Sequence, residues 1–122
     1  MPRILSIEDD PDLQHLLALG LRSEGYEVHY AFTGEEGYEK LLMLAPDLVI
    51  LDMMLPVLND VEVLRKVRAN RLVRAIPVIV VTGYAEDERF VDKEVKALGA
   101  VEYIRKPVRM AELLRVIRRF LA

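Results

Sequence analysis

The sequence predicts one α/β domain over residues 1–122, a doubly wound parallel sheet of five strands covered by five helices. Two observations indicate this fold class. Short apolar runs alternate five times with longer segments of helical periodicity, which is typical of a parallel sheet with helices on both faces. The runs within residues 47–52 and 78–82 are continuous rather than alternating. Continuous apolar runs are expected of strands that are buried on both faces.

The other three strands are shorter or less apolar. They are predicted at residues 3–7, 26–31 and 101–104. The second of these alternates apolar and polar residues, as a half-buried strand does. Pro77 introduces the strand over residues 78–82 and Gly83 ends it, because proline and glycine commonly mark strand boundaries.

Capping residues mark the starts of the predicted helices. Asp10 before Pro11 opens the first helix, and Gly25 ends it. Thr33-Gly34-Glu35-Glu36 matches a capping box, and Asn59 with Glu62 resembles another. The fourth helix is expected between Gly83 and Gly99, and the fifth over residues 110–121. Apolar residues recur at helical spacing, in the first helix as Leu13, Leu16, Leu17 and Leu21.

Composition excludes several classes of function. Hydrophobic residues make up 52% and charged residues 30% of the chain, which indicates a folded domain with a polar surface. The net charge of −3 gives no strong basic field for nucleic acid or an anionic membrane. The absence of cysteine excludes disulfides and thiolate chemistry. Without a signal peptide or a membrane-length apolar stretch, a cytoplasmic protein is expected.

Polar side chains follow four of the five predicted strands. Right-handed crossovers place the ends of parallel strands along one edge of the sheet, where sites of this fold class lie. Taken singly, each residue has an ordinary structural role, such as the helix cap expected of Asp10. Taken together, they predict a site at this edge. The residues are Glu8, Asp9, Asp10, Asp52, Thr82 and Lys106.

The chemistry of this set indicates phosphoryl transfer. Clustered carboxylates repel one another, and Mg²⁺ removes that repulsion while keeping room for a phosphate oxygen. Lys106 would supply a second positive charge, and Thr82 a hydroxyl donor. Gly83 would let its backbone N–H approach closely. A carboxylate such as Asp52 is then a plausible nucleophile, since aspartyl phosphates are known covalent intermediates.

Four segments in this order resemble the receiver domain of bacterial two-component response regulators, over the whole chain. They are Ile7-Glu8-Asp9-Asp10, Leu51-Asp52-Met53-Met54-Leu55-Pro56, Val81-Thr82-Gly83 and Tyr103-Ile104-Arg105-Lys106-Pro107. The resemblance implies a flavodoxin-like fold, similar to chemotaxis regulators, with strand order 2-1-3-4-5. It also implies a signalling domain that turns over no substrate beyond its own phosphorylation and slow dephosphorylation.

The resemblance also assigns the acceptor and the metal ligands. Asp52 would take a phosphoryl group from a phosphohistidine on a sensor histidine kinase or phosphotransfer protein. Asp9, Asp52 and the backbone carbonyl of Met54 would bind Mg²⁺ directly, and Glu8 would act through a bound water. Glu8 is longer than the Asp more common at its position.

The remaining site residues would contact the phosphoryl group or respond to it. Lys106 would contact the phosphoryl group, with a cis bond to Pro107. Thr82 would move toward the phosphoryl group, with the ring of Tyr103 turning inward as a switch. The fourth helix, the fifth strand and the fifth helix form either an ordinary solvated face or, as the expected output, a partner or homodimer surface. It includes Phe90, Val91, Lys93, Glu94, Lys96, Tyr103, Glu112 and Arg115.

Two positions bear on the lifetime of the phosphorylated state. Met54 and Tyr84 lie two residues after Asp52 and Thr82, where the resemblance implies that they flank the path of the attacking water. Both are bulky and neither is a carboxylate base, so slow self-dephosphorylation is predicted.

Two alternative functions are weighed against this one. A magnesium phosphatase of the haloacid dehalogenase type would also use an Asp nucleophile, but it needs a second Asp where this chain has Met54. A degenerate receiver would bind partners without phosphorylation. The complete acidic, Thr and Lys set argues against this second alternative, whereas the unusual Asp60 in the loop after Asp52 leaves it open.

Overall fold

Five parallel strands form one sheet in a computed structural model that describes residues 1–53, 58–82 and 102–121. The strands are β1 (Arg3–Ile7), β2 (Glu27–Ala31), β3 (Leu48–Met53), β4 (Val78–Thr82) and β5 (Glu102–Arg105). Their order is β2-β1-β3-β4-β5, and every neighbouring pair is parallel. The predicted fold class and strand order are therefore confirmed.

Four helices connect or follow these strands in the described part of the chain. They are α1 (Pro11–Ser23), α2 (Gly34–Leu44), α3 (Leu58–Ala69) and the last helix (Met110–Phe120). The helix predicted between Gly83 and Gly99 lies outside the described residues. α3 begins at Leu58, so Asn59, expected to cap this helix, lies in its first turn instead. No described helix has the length and apolar character needed to cross a membrane.

Two of the predicted caps are confirmed. The Asp10 carboxylate accepts a hydrogen bond from the backbone N–H of Asp12 at 3.0 Å, and Pro11 is the first residue of α1. The hydroxyl oxygen of Thr33 accepts from the backbone N–H of Glu36 at 3.1 Å. Since these bonds satisfy N–H groups that have no partner within the helix, they fix where α1 and α2 begin.

Side chains that alternate along the strands build a core on each face of the sheet. One core joins the strands to α2 and α3, and the other joins them to α1 and the last helix. The first includes Leu5, Ile7, Leu41, Leu51, Leu64 and Val80. The second includes Ile4, Leu17, Leu21, Ile50, Ile79 and Leu113. Burial on both faces holds the register of the strands, and therefore the positions of the residues at their carboxyl ends.

The buried face of α1 differs from its apolar pattern. Leu17 and Leu21 are buried as the spacing suggests, but Leu16 is 60% exposed. Gln14, a polar residue, is only 2% exposed. The helix is therefore turned so that an amide side chain, rather than Leu16, faces the sheet.

Candidate functional site

Three carboxylates meet at the carboxyl ends of the two central strands. Asp52 lies in β3 and is only 7% exposed, and Glu8, directly after β1, is 3% exposed. Asp9, the next residue, is exposed. Each of the three offers a carboxylate oxygen, and these oxygens lie within 4.8 Å of one another. Because β1 and β3 are neighbours in the sheet, the strand order itself creates this cluster.

Lys106 brings a positive charge into the cluster from the segment after β5. Its Nζ donates a hydrogen bond to Oδ2 of Asp52 at 3.0 Å and lies 3.6 Å from Oε2 of Glu8. The bond between Lys106 and Pro107 is cis, as the family resemblance implied. One ammonium group thus interacts with two buried carboxylates.

The buried charges change the proton affinity of the site. Burial, followed by a hydrogen bond with Asp52, raises the pKa of Glu8 from its ordinary 4.5 to about 8. Burial acts to lower the pKa of Lys106, but the hydrogen bond and charge of Asp52 outweigh it, and the net effect is a raised pKa. At neutral pH, and with no added cation, the folded chain therefore favours a charged Lys106 and a protonated Glu8.

The carboxylate cluster fits a hard divalent cation. Within the described part of the chain, the buried Oδ1 of Asp52 has no hydrogen-bond partner, although Oδ2 of the same carboxylate has Lys106. A buried carboxylate oxygen without a partner is costly, and a cation would remove that cost. Mg²⁺ prefers oxygen ligands and commonly uses one or two carboxylates. Glu8, Asp9 and Asp52 supply that kind of donor set.

Hydrogen bonds from backbone groups and from Gln14 hold Glu8 in its place within this cluster. Its Oε1 accepts a hydrogen bond from the backbone N–H of Asp10 at 3.1 Å. Its own N–H donates to the carbonyl oxygen of Ala31 at 3.0 Å. The side-chain amide of Gln14 donates to the Glu8 carbonyl oxygen at 3.2 Å. Gln14 was not among the predicted site residues, because its only signal in the sequence is a polar residue beside the apolar positions of the first helix.

The structure brings together four of the predicted site residues and leaves others undescribed. Glu8, Asp9, Asp52 and Lys106 form the cluster, whereas Asp10 caps α1. Thr82 is the last residue of β4, opposite Met53 of β3, and Tyr103 lies in β5, but only their backbone is described. Met54, Gly83 and Tyr84 lie outside the described residues, as do Asp60's side chain and the residues predicted on the fourth helix.

The comparison with known proteins agrees with this geometry. The family model of the response regulator receiver domain matches residues 4–118. The response regulator ArlR of Staphylococcus aureus is 37% identical over 121 residues, which cover 99% of this chain and 53% of ArlR. The chemotaxis response regulator CheY4 of Vibrio cholerae has a TM-score of 0.87 at 28% identity, and 98% of each chain is covered.

A further solved structure carries a metal in its own site. It is the receiver domain of a sensor histidine kinase from Pseudomonas aeruginosa, with a magnesium ion coordinated in the active site cleft. Its TM-score is 0.86 at 30% identity, covering 98% of this chain and 97% of that one.

The fold and the acidic cluster define a signalling domain of two-component systems. The chain belongs to the response regulator receiver domain family. It spans about half the length of the curated relatives it matches.

Proposed function

We propose that this receiver domain accepts a phosphoryl group on Asp52 in a Mg²⁺-dependent reaction, with a sensor histidine kinase or phosphotransfer protein as donor. The observation that carries the proposal is the pairing of buried Asp52 with Lys106 at 3.0 Å, beside two further carboxylates. A carboxylate that served only the fold would not need two acidic neighbours, because each of them raises the cost of keeping it charged.

The transfer exchanges one bond to phosphorus for another. An oxygen of Asp52 forms a bond to the phosphorus while the bond from phosphorus to the donor imidazole nitrogen breaks, and that nitrogen keeps the electron pair. Lys106 neutralises negative charge on the phosphoryl oxygens, which is the main requirement of such a transition state. Since the donor brings the activated phosphoryl group, this chain needs no further acid or base.

Mg²⁺ would be held by Asp9, Asp52 and the backbone carbonyl of Met54, with Glu8 acting through a water. When bound, the ion neutralises charge on the phosphoryl oxygens and helps to orient them. The protein's part is to keep the carboxylates close together in advance. The 4.8 Å spread of their oxygens and the unpartnered Oδ1 of Asp52 support this role.

The proposed output is a change of surface rather than a released product. Thr82 and Gly83 would bind the phosphoryl group, and the ring of Tyr103 would follow Thr82. Slow loss of the phosphoryl group would keep the signal, because Met54 and Tyr84 supply no carboxylate base. These roles rest on the family's motif at the matching positions of this sequence.

The proposal is tested by incubating the chain with Mg²⁺ and phosphoramidate, followed by intact-mass spectrometry. We expect one added phosphoryl group, which EDTA prevents. Asp52→Asn removes the acceptor and should add none. Asp47→Asn is the matched control, because Asp47 is exposed just before the opposite end of the same strand. A phosphorylated species that persists in Asp52→Asn, or none in the parent chain, would refute the assignment.

A further inference from the structure

Gln14 places a buried amide against the backbone that carries part of the acidic cluster. Its side chain is on α1, and its Nε2 lies 3.0 Å from the carbonyl oxygen of Ser6 and 2.9 Å from that of Ala31. A third carbonyl oxygen, that of Glu8, lies at 3.2 Å. One amide therefore joins the carboxyl ends of β1 and β2 at the edge where the site begins.

The contact with Glu8 matters most, because of the peptide group to which that carbonyl belongs. This peptide group links Glu8 to Asp9, and those two residues carry two of the three clustered carboxylates. The N–H of Glu8 is held separately, by the carbonyl of Ala31 at 3.0 Å. Together these bonds fix the backbone of Glu8 on both sides of its Cα, and so the direction in which its side chain leaves the strand.

Packing alone does not explain an amide at this position. Within the described residues, Oε1 of Gln14 has no hydrogen-bond partner, although the side chain is almost fully buried. A buried acceptor without a partner destabilises the fold, and an apolar side chain would avoid that loss. The Ala31 carbonyl already accepts from the Glu8 N–H and does not depend on Gln14 for a partner. What Gln14 adds is a donor for the Ser6 carbonyl, at 3.0 Å, and for the peptide between Glu8 and Asp9, at 3.2 Å.

We propose that Gln14 is a positioning residue for the cation site. It does not touch the ion. Its amide holds the peptide between Glu8 and Asp9, so that both carboxylates meet Asp52 without a change of backbone when the ion binds. Groups behind metal ligands commonly act in this way, by orienting the ligands. The inference rests on the proposed function, in that Mg²⁺ is taken as the ion.

The test uses Gln14→Met, which keeps a similar length and removes both donors. We expect the Mg²⁺ dissociation constant, measured by isothermal titration calorimetry, to rise roughly tenfold, the lower end of such effects. The Mg²⁺ concentration for half-maximal phosphorylation by phosphoramidate should rise by a similar factor. The rate at saturating Mg²⁺ should change less, because Asp52 and Lys106 are untouched.

Two further variants separate positioning from a loss of stability. Gln14→Leu is a second apolar replacement with a shorter side chain, and it should weaken Mg²⁺ binding in the same way. Ile117→Val lowers stability from the buried face of the last helix, touches none of the clustered carboxylates, and should leave the dissociation constant unchanged. Thermal melting of each variant gives its loss of stability for comparison.

The inference is overturned if folded Gln14→Met binds Mg²⁺ like the parent chain, or if Ile117→Val weakens binding equally. It is also overturned if neither apolar variant folds, because Gln14 would then serve the fold itself. Failure of the proposed function looks different: the parent chain would not bind Mg²⁺ or take up a phosphoryl group, and both proposals would be abandoned.

Discussion

The burial of carboxylates determines the protonation of this site, which Glu8, Asp52 and Lys106 form. Two buried carboxylates share one ammonium group, at 3.6 Å and 3.0 Å. Burial, and after it the hydrogen bond with Asp52, favours the protonated form of Glu8, as its raised pKa indicates. A cation in the cluster would take the place of that proton. Without such a cation, the stability of the fold should depend on pH.

We expect the free energy of unfolding, measured in EDTA, to fall as pH rises from about 5 to about 8. The pKa of Glu8 is about 8 in the folded chain against an ordinary 4.5, so over this window the folded chain holds a proton that the unfolded chain has released. The slope for one proton cannot exceed about 1.4 kcal/mol per pH unit. Urea unfolding at several pH values measures it.

Glu8→Gln is the control for this pH dependence. It removes the titrating group, and stability should then be nearly flat over the same window. Lys106 adds no slope there, because its pKa is raised from an already high 10.5 and its stabilising contribution is lost only at higher pH. Equal pH dependence in the parent chain and Glu8→Gln would show that another group titrates.

Two helices approach their neighbours closely at a glycine: Gly37 faces the sheet, and Gly20 faces the last helix. Gly37 of α2 is buried against β1, and a Cβ there would overlap Cδ1 of Ile7 and lie 2.7 Å from its Cγ1. Gly20 of α1 faces the flexible end of Met110, with Sδ at 2.9 Å. A buried isoleucine on a central strand cannot withdraw, whereas a methionine side chain can rotate.

We therefore expect Gly37→Ala to lower the free energy of unfolding by about 1–3 kcal/mol, the usual cost of overpacking. Gly20→Ala gains the same helix preference, about 1 kcal/mol for alanine over glycine. This gain and the displacement of the Met110 side chain should nearly cancel, so the variant should be close to neutral. Chemical denaturation of both variants gives the comparison. Ile7→Val removes the overlapping Cδ1 and should recover part of the loss in Gly37→Ala. Equal stability of the two alanine variants would contradict this account.

A helix or strand could be predicted where the residues that determine it lie within the element itself. Strands and capped helices such as α1 and α2 could be predicted because apolar periodicity and caps at Asp10 and Thr33 are local features. The side of α1 that faces the sheet could not be predicted, because it depends on residues outside the helix. Leu16 fits the apolar spacing but is exposed, and Gln14 is buried because three carbonyl groups from two strands converge on its amide. No pattern within the helix contains those partners.

For the molecule as a whole, the strand order decides where the site lies. β1 and β3 are not consecutive in the chain, yet they are neighbours at the centre of the sheet, which places Glu8 beside Asp52. Ligands of open α/β sheets bind at such a point of reversed strand order. Alternation of strands and helices predicted the parallel sheet, and the shared edge predicted the residues of the cluster. The order itself depends on long-range packing and came from the family resemblance.

The last prediction concerns association of whole chains when the site is filled. The proposed surface includes the last helix, where Arg115 is exposed and Glu112 is half-buried. Arg118 and Arg119, one turn further on, pair with Glu24 at 3.0 Å and Glu102 at 3.7 Å. These bonds tie the last helix to the end of α1 and to β5. A change in β5 on phosphorylation would therefore reach this surface through the helix that packs beside it.

We expect Mg²⁺ with beryllofluoride, a phosphoryl mimic, to raise the average mass in multi-angle light scattering from one chain toward two. Arg115→Glu should weaken the association, because it replaces one sign of exposed charge by the other, and added salt should weaken it too, as screening reduces exposed ion pairs. Asp52→Asn is the control that cannot hold the mimic. If thermal melting shows that beryllofluoride is bound while the mass stays that of one chain, the surface is not a dimer interface. The switched partner must then be a different protein.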